Sequence, residues 1–419
     1  MDVPDAILLM GDKQWQEIKS KLTGKFNKMM KGLFRQKGAQ LDINILASDE
    51  AQEFITTHAG ILDAGFQKVE MSDKMRERLT RSNYIFSGIK TFHELNEAFP
   101  SMLDENGNKK TFERFLNDVQ KINDTYNANY LHAEYNFVQA SATMAAKWEQ
   151  FREDGDQYYL QYRTAKDGKV RPEHAALDGV TLPPSDSFWD TYYPPNGWNC
   201  RCNVVQVRKQ KYPITEHSEA MNRGEEAMNG QKYNIFRFNS GKQGKTMPDY
   251  NPYTIRRCND CDVAKGKMKL GFVPDYQLCQ GCIMIRKCSE DRNRDNSAKA
   301  TKKSPEVKKL QGTTISNPDF NHEVLITGGS IREWTNQPHK EYAAKNSILK
   351  HIAKVFREAK YIGFIDNFKK KPGVKQSHLF ETNVLGELSW IIVREYEIGE
   401  FVLHSISDSD KIKTGIRKE

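Results

Sequence analysis

The run RPEHAALDGVTLPPSDSFWDTYYPPNGWNCRC, residues 171–202, constrains this chain more than any other segment. Its prolines lack a backbone N–H, so it cannot serve as a central strand or a helix interior. Phe188, Trp189, Tyr192, Tyr193 and Trp198 are too many rings for a solvated linker. The expectation is an irregular loop clamped onto a small domain by buried aromatics. His174 and Asp178, four residues apart, fit a hydrogen-bonded pair that fixes the loop. Cys200 and Cys202 with His174 supply three metal ligands, which Asp178 would complete, but buried small cysteines in a tight turn are the commoner arrangement. No nucleophile and base stand out by spacing in this run.

The flanks give the loop a context. TFERFLNDVQKINDTYNANYLHAEYNFVQASATMAAKWEQF carries Phe112, Phe115, Val119, Ile122 and Tyr126 three or four residues apart. That predicts an apolar stripe on one long helix, with core packing expected before a partner-facing seam. Residues 1–80 also read as helical. YYLQYRTAKDGKV reads as two short strands around a Lys-Asp-Gly turn, and NVVQVRKQK as a further strand. Residues 81–210 therefore form a small α+β domain, and residues 211–288 a polar connector.

The chain has 419 residues, enough for two to four domains at roughly 100–200 residues each. No run of about 18 apolar residues occurs, so no membrane span is expected. The first residues lack the basic and apolar regions of a secretory leader, which points to synthesis in cytoplasm. A net charge of +8 makes a nucleic-acid partner plausible without establishing it, because 55 acidic residues are interspersed with 63 basic ones.

Cys258-x-x-Cys261 and Cys279-x-x-Cys282 have the spacing of a four-thiolate zinc site. The segment between the pairs is too small to hold a core, so Zn²⁺ would act structurally, and Cys288 is a spare. Disulfides are disfavoured by a reducing compartment. Residues 289–310 are charged and nearly free of large apolar groups, which predicts a solvated linker.

YRTAKDGKVRPEHAALDGVTLPPSDSFWDTYYPPNGWNCRC resembles the signature of the Mu F-like phage head morphogenesis family, minor head proteins of tailed phages. IFSGIKTFHEL and NDTYNANYLHAEYNFVQASATMAAKWEQF are similar to the segments that precede it there. The resemblance spans about residues 80–210. It implies a virion component present in few copies near the portal, partnered by portal and capsid proteins and by DNA in the head. Such a protein is in host cytoplasm during assembly and in the virion afterwards.

Residues 311–419 read as a separate domain. Pro338 sits near a predicted helix start, and Ile348, Leu349, Ile352, Val355, Phe356 and Ala359 give the helix one apolar face. YIGFID, SHLFETN, LSWIIVREY and EFVLHSISD follow as an antiparallel meander of about four strands, turning at Gly386 and Gly399. NQPHKEYAAKN, SHLFE and LSWIIVRE…LHSISDSD resemble the phage-associated barnase–EndoU–colicin–RelE-like nucleases over about residues 315–415. That resemblance implies a metal-independent ribonuclease with acid–base catalysis. The candidates are His378 and His339 for proton transfer, Lys345 for phosphate charge, and Ser405 and Ser407 as hydroxyl donors. His404 falls on the opposite strand face from Ser405 unless a bulge intervenes. His351 is expected to pack, and Glu381 faces away from His378.

The chain thus reads as multidomain α+β: a helical N-terminal region, a small Mu F-like α+β domain, a zinc knuckle, and a C-terminal helix with an antiparallel sheet of RNase type. The expected function is a phage minor head protein carrying a ribonuclease toxin, with an RNA substrate and an immunity protein as further partners. The alternatives are a structural head assembly and DNA-contact protein with an inactive nuclease fold, or a zinc-dependent nucleic-acid-binding protein.

Overall fold

A computed structural model describes residues 12–38, 40–230, 235–248, 251–253, 280–367 and 371–417. The chain divides into two compact units, residues 1–289 and 290–419. Among the described residues no helix is long and apolar enough to cross a membrane.

The first unit opens with the helices α1 (Asp12–Arg35), α2 (Asp49–Ala64), α3 (Asp73–Ala98), α4 (Phe112–Asn123) and α5 (Leu131–Asp154). Side chains cap three of them: Ser48 accepts from the Ala51 amide, Ser72 from Met75 and Thr111 from Arg114. Each satisfies one amide donor that an open helix end would expose. The stripe on α4 is core, since Phe115, Val119, Ile122 and Tyr126 are buried. The single long helix expected here is instead two, because residues 124–129 form a π-turn. That wider turn leaves the Tyr126 carbonyl to accept from Lys90 Nζ at 2.7 Å.

The chain then forms β1 (Tyr159–Arg163), the one-turn helix α6 (Pro172–Ala175), β2 (Thr181–Leu182), α7 (Phe188–Thr191) and β3 (Asn203–Val207). The three strands make an antiparallel sheet in the order β2–β1–β3. The expected hairpin around Lys166-Asp167-Gly168 does not form. The partners of β1 come from 181–182 and 203–207, a non-local pairing that a turn signal cannot reveal. Further helices are α8 (His217–Ala227) and α9 (Ser240–Gln243). One apolar core runs from Trp15 to Ile285, so residues 1–80 and 81–210 are not separate domains. Residues 211–253 are not a bare connector either: Ile235, Phe236, Phe238, Met247 and Tyr253 are buried in that core.

Residues 289–310, expected as an irregular linker, are largely helical: α10 (Gln280–Lys303) contains the division between the units, and α11 (Pro305–Lys308) follows. The shortage of apolar residues excludes a core of its own, but Lys, Arg, Ala and Glu are good helix formers. The second unit continues with β4 (Thr314–Asn317), β5 (Phe320–Leu325), α12 (Gly328–Asn336), α13 (Tyr342–Ser347), α14 (Ile352–Glu358), β6 (Lys360–Asp366), β7 (Val374–Val384), β8 (Glu387–Tyr396) and β9 (Phe401–Ser407). The four predicted strands are present as β6–β9, and β4 and β5 extend the sheet to the order β4–β5–β9–β8–β7–β6. Among the described strands only β5 and β9 pair in parallel. Leu385 and Gly386, with φ of 52° and 92°, make the two-residue turn between β7 and β8.

Pro338 does not start a helix but follows the end of α12, where Gln337 is extended at ψ 127°. The helix predicted after it is broken into α13, a 3₁₀ turn and α14. Its apolar face is nevertheless real, with Leu349, Ile352, Phe356 and Ala359 buried against Phe380, Ile391 and Leu403.

Candidate functional site

The clamp loop is built as its rings require. Phe188, Trp189, Tyr192 and Tyr193 are fully buried. Their polar tips find partners: Trp189 Nε1 donates to the Pro183 carbonyl at 3.1 Å, Tyr193 Oη to the Met144 carbonyl at 2.9 Å and Tyr192 Oη to Glu225 at 2.5 Å. The loop is thereby fastened to α5 and α8. Gly224 on α8 permits the approach, since a Cβ there would lie 2.5 Å from the Tyr192 ring. Trp198 is only partly buried and meets Phe137 and Phe236 edge-on at 5.1 and 5.5 Å.

Within the clamp, Pro172 occupies the first turn of α6 and places His174 inside, 2% exposed. Arg171 Nη2 donates to the Trp198 carbonyl at 2.7 Å, and Asn199 turns the chain at φ 56° before Cys200. His174 Nδ1 lies 3.7 Å from both Cys200 Sγ and Cys202 Sγ. The ligand atoms of these three residues all lie within 4.8 Å of one another. Lys169, Arg171 and Arg201 line the shallow pocket beside them. A hydrogen bond from Cys202, and then His174, draws the Cys200 thiol well below its ordinary range. The same interaction, with burial, pushes the Cys202 thiol up. Asp178 is not part of the cluster: its Oδ1 accepts from Thr164 N at 2.8 Å and Thr164 Oγ1 at 3.1 Å. The His174–Asp178 pair expected from spacing is therefore replaced by an Asp178–Thr164 one.

The five C-terminal candidates do not converge. His378 is buried on the α14 side of the sheet, with Nε2 donating to Glu395 Oε2 at 3.0 Å and Nδ1 accepting from Tyr361 Oη at 2.9 Å. His339 is buried, with Nδ1 accepting from the Glu341 amide at 2.9 Å and Nε2 facing Ser389 Oγ at 2.9 Å. Ser389 pairs with Thr382, four residues and so about 13 Å along β7 from His378. Lys345 is wholly buried, its ammonium donating to the carbonyls of Trp334 and Gln337 at 2.5 and 2.7 Å. Burial, then Arg294, lowers its pKa to about 7. Burial likewise lowers that of His339.

Ser405 and Ser407 lie on the other sheet face. Leu403 and Ile406 both enter the core, and the pairing with β8 skips His404, which is a bulge. The bulge puts His404, Ser405 and Ser407 on the face opposite His378. Burial, then Arg394, lowers the His404 pKa to about 4. Of the four cysteines expected to hold zinc, Cys258, Cys261 and Cys279 lie outside the described residues; Cys282 is buried in the first turn of α10.

Sequence reading missed a buried charged network in the first unit. Lys90 Nζ, wholly buried, donates to Glu134 Oε2 at 2.8 Å, to His58 Nε2 at 3.0 Å and to the Tyr126 carbonyl, which uses all three of its protons. His58 Nδ1 is 2.8 Å from Ser87 Oγ, and Tyr253 Oη bonds Glu134 Oε1. Burial, then Lys90, drops the His58 pKa to about 4. Glu134 is held at about 2 by Lys90 and His58 against the effect of burial. Neighbouring Glu94 is raised to about 8, mainly by burial. The only available signal was that Lys90 and Glu134 interrupt otherwise inward helix faces.

Residues 105–205 match the family model described as Phage Mu protein F like protein, and residues 293–403 that described as Large polyvalent protein-associated domain 3. The chain is 32% identical over 284 residues to the "Putative capsid assembly protein F" of Escherichia phage Mu, covering 62% of this chain and 61% of that one. It is 34% identical over 102 residues to the Mu-like prophage FluMu F protein of Haemophilus influenzae, covering 24% and 22%. The chain thus spans less than two thirds of the length of either relative. The Mu F-like resemblance is supported by the family model and by both relatives. No solved structure matches.

Proposed function

We propose that this chain is a phage head assembly protein, a minor virion component whose first unit docks on portal or capsid proteins beside the packaged DNA. The single observation that carries this reading is the 32% identity with the Mu capsid assembly protein. The clamp supports it, because its buried rings and tyrosine hydroxyls are spent on cohesion. The protein would be in host cytoplasm during assembly and in heads afterwards. Co-sedimentation with purified heads tests this: wild type should travel with heads in few copies, and a protein found only in the soluble fraction overturns it.

In the same proposal the second unit is an appended structural module. A ribonuclease passenger, with an RNA substrate and an immunity protein, is the second reading. One observation favours it: His378 is held between Tyr361 and Glu395, an arrangement suited to proton transfer. The structural role ranks first, because the serines occupy the opposite face and the Lys345 ammonium is bonded to backbone carbonyls. The two readings part on whether the full chain cleaves RNA in EDTA. Cys258, Cys261, Cys279 and Cys282 are proposed to hold one structural zinc, independently of either reading.

A further inference from the structure

We infer that His174, Cys200 and Cys202 form a second metal site, separate from the Cys-x-x-Cys pairs, which binds a zinc-like divalent ion and leaves one coordination position to solvent. A tetrahedral ion bound at about 2.3 Å by sulfur and about 2.0–2.1 Å by imidazole nitrogen holds those atoms roughly 3.6 Å apart. Both sulfurs here are 3.7 Å from the same nitrogen, Nδ1. One imidazole proton serves at most one of the two sulfurs well, whereas one ion can bond all three atoms. Two thiolates and an imidazole are the donor set that suits zinc over calcium or magnesium.

A second observation is independent of the distances. His174 is 2% exposed, and its Nε2 has no hydrogen-bond partner among the described residues. Among the described residues its only polar contacts are the two long ones to sulfur, both at Nδ1, so hydrogen bonding alone leaves a buried polar ring poorly satisfied. An ion on Nδ1 supplies a strong bond in their place. The surrounding chain holds the donors ready. Arg171 starts α6 and grips the Trp198 carbonyl, and a Cβ on Gly197 would meet Arg171 Nη1 at 3.1 Å and His174 Cε1 at 3.7 Å. Asp178 is committed to Thr164, so no described protein group supplies a fourth ligand. The remaining position faces the pocket lined by Lys169, Arg171 and Arg201, and takes water or hydroxide. Binding the ion as thiolates displaces thiol protons and ties the 197–202 turn to α6.

The test uses the full chain with Cys258→Ser, Cys261→Ser and Cys279→Ser, so that the knuckle holds no metal. Zinc-loaded, this protein should retain about one ion per chain, with X-ray absorption showing two sulfurs, one imidazole nitrogen and one further light atom. Adding Cys200→Ser should remove that ion and the cobalt-substituted charge-transfer bands. Gel filtration and circular dichroism on the same samples check folding. Absence of zinc from the folded three-serine variant, or a shell of light atoms alone, overturns the site. So does a Cys200–Cys202 disulfide in freshly purified protein.

Discussion

Replacing Glu94 by glutamine should flatten the stability of the first unit above neutral pH. The carboxyl is fully buried, and neither oxygen accepts a hydrogen bond among the described residues. Burial raises its pKa from 4.5 to about 8, with Lys90 and the nearby Asn127 amide, too poorly placed to count as a hydrogen bond, pulling down and Glu134 and Glu97 pushing up. The folded state therefore holds this proton more tightly than the unfolded chain does. Stability falls as pH rises from 4.5 to about 8 and is level above that, at about 1.4 kcal/mol per pH unit. His58, lowered to about 4, acts in the opposite sense below pH 6.5, where the unfolded chain takes its proton first. Between pH 6.5 and 8 the Glu94 contribution is about 2 kcal/mol over the interval, and the lowered Cys200 thiol acts in the opposite sense in both proteins, so the difference between variant and wild type isolates it. Urea unfolding of full chains at both pH values, read by pulse-labelling hydrogen exchange of α3 and α5 peptides, measures it. Glu94→Gln should gain about 2 kcal/mol on wild type across that window. Parallel profiles for the two proteins would refute the buried, protonated carboxyl.

The other expectations concern separate places. Trp189→Ala removes a fully buried ring and a hydrogen bond to Pro183, and should cost about 3–5 kcal/mol of first-unit stability by the same unfolding assay, with Trp198→Ala costing clearly less. Equal losses would contradict the difference in burial. Cys279→Ser should release about one zinc per chain by metal analysis and expose residues 255–279 to protease; unchanged zinc content counts against the knuckle. His378→Ala leaves Glu395 and Tyr361 short of a partner and should destabilise the second unit by about 1–3 kcal/mol. If the chain does cleave RNA in EDTA, the same change should slow it about 10²–10⁴-fold; cleavage at the wild-type rate would remove His378 from the reaction.

Much of this fold was legible where local pattern decides it. The α4 stripe, the β6–β9 strands and the turn at Gly386 follow from periodicity and backbone preference, and the burial of Trp189 and Tyr193 from the composition of their loop. What escaped is set at long range. The partners of β1 lie 20 to 48 residues away, as Gln161 pairs with Thr181 and Tyr159 with Val207, so the Lys-Asp-Gly signal misled. Lys90 and Glu134 look like solvated charges until three-dimensional packing brings 44 residues of chain back together. His404 was set on the opposite face from Ser405 by strand parity, which a single bulge overturns. His378 was placed correctly beside Phe380, but nothing local revealed that Tyr361 and Glu395 occupy its two nitrogens.

The bulge has a consequence for how β9 tolerates change in length. In an evenly paired strand, losing one residue turns every later side chain inside out. Here His404 has no partner on β8, whereas Leu403 faces Val393 and Ser405 faces Ile392. Excising His404 alone would close the gap in the ladder, keep Leu403 and Ile406 on the core side, and leave the two serines where they are. Excising Ser405 would have the same effect, with His404 taking its place opposite Ile392, whereas excising Leu403 would bring His404 to the core side. A strand in this fold can therefore be shortened by one residue at its bulge without losing its register, so in-frame codon deletions at 404 or 405 are the ones that a library of deletions should recover.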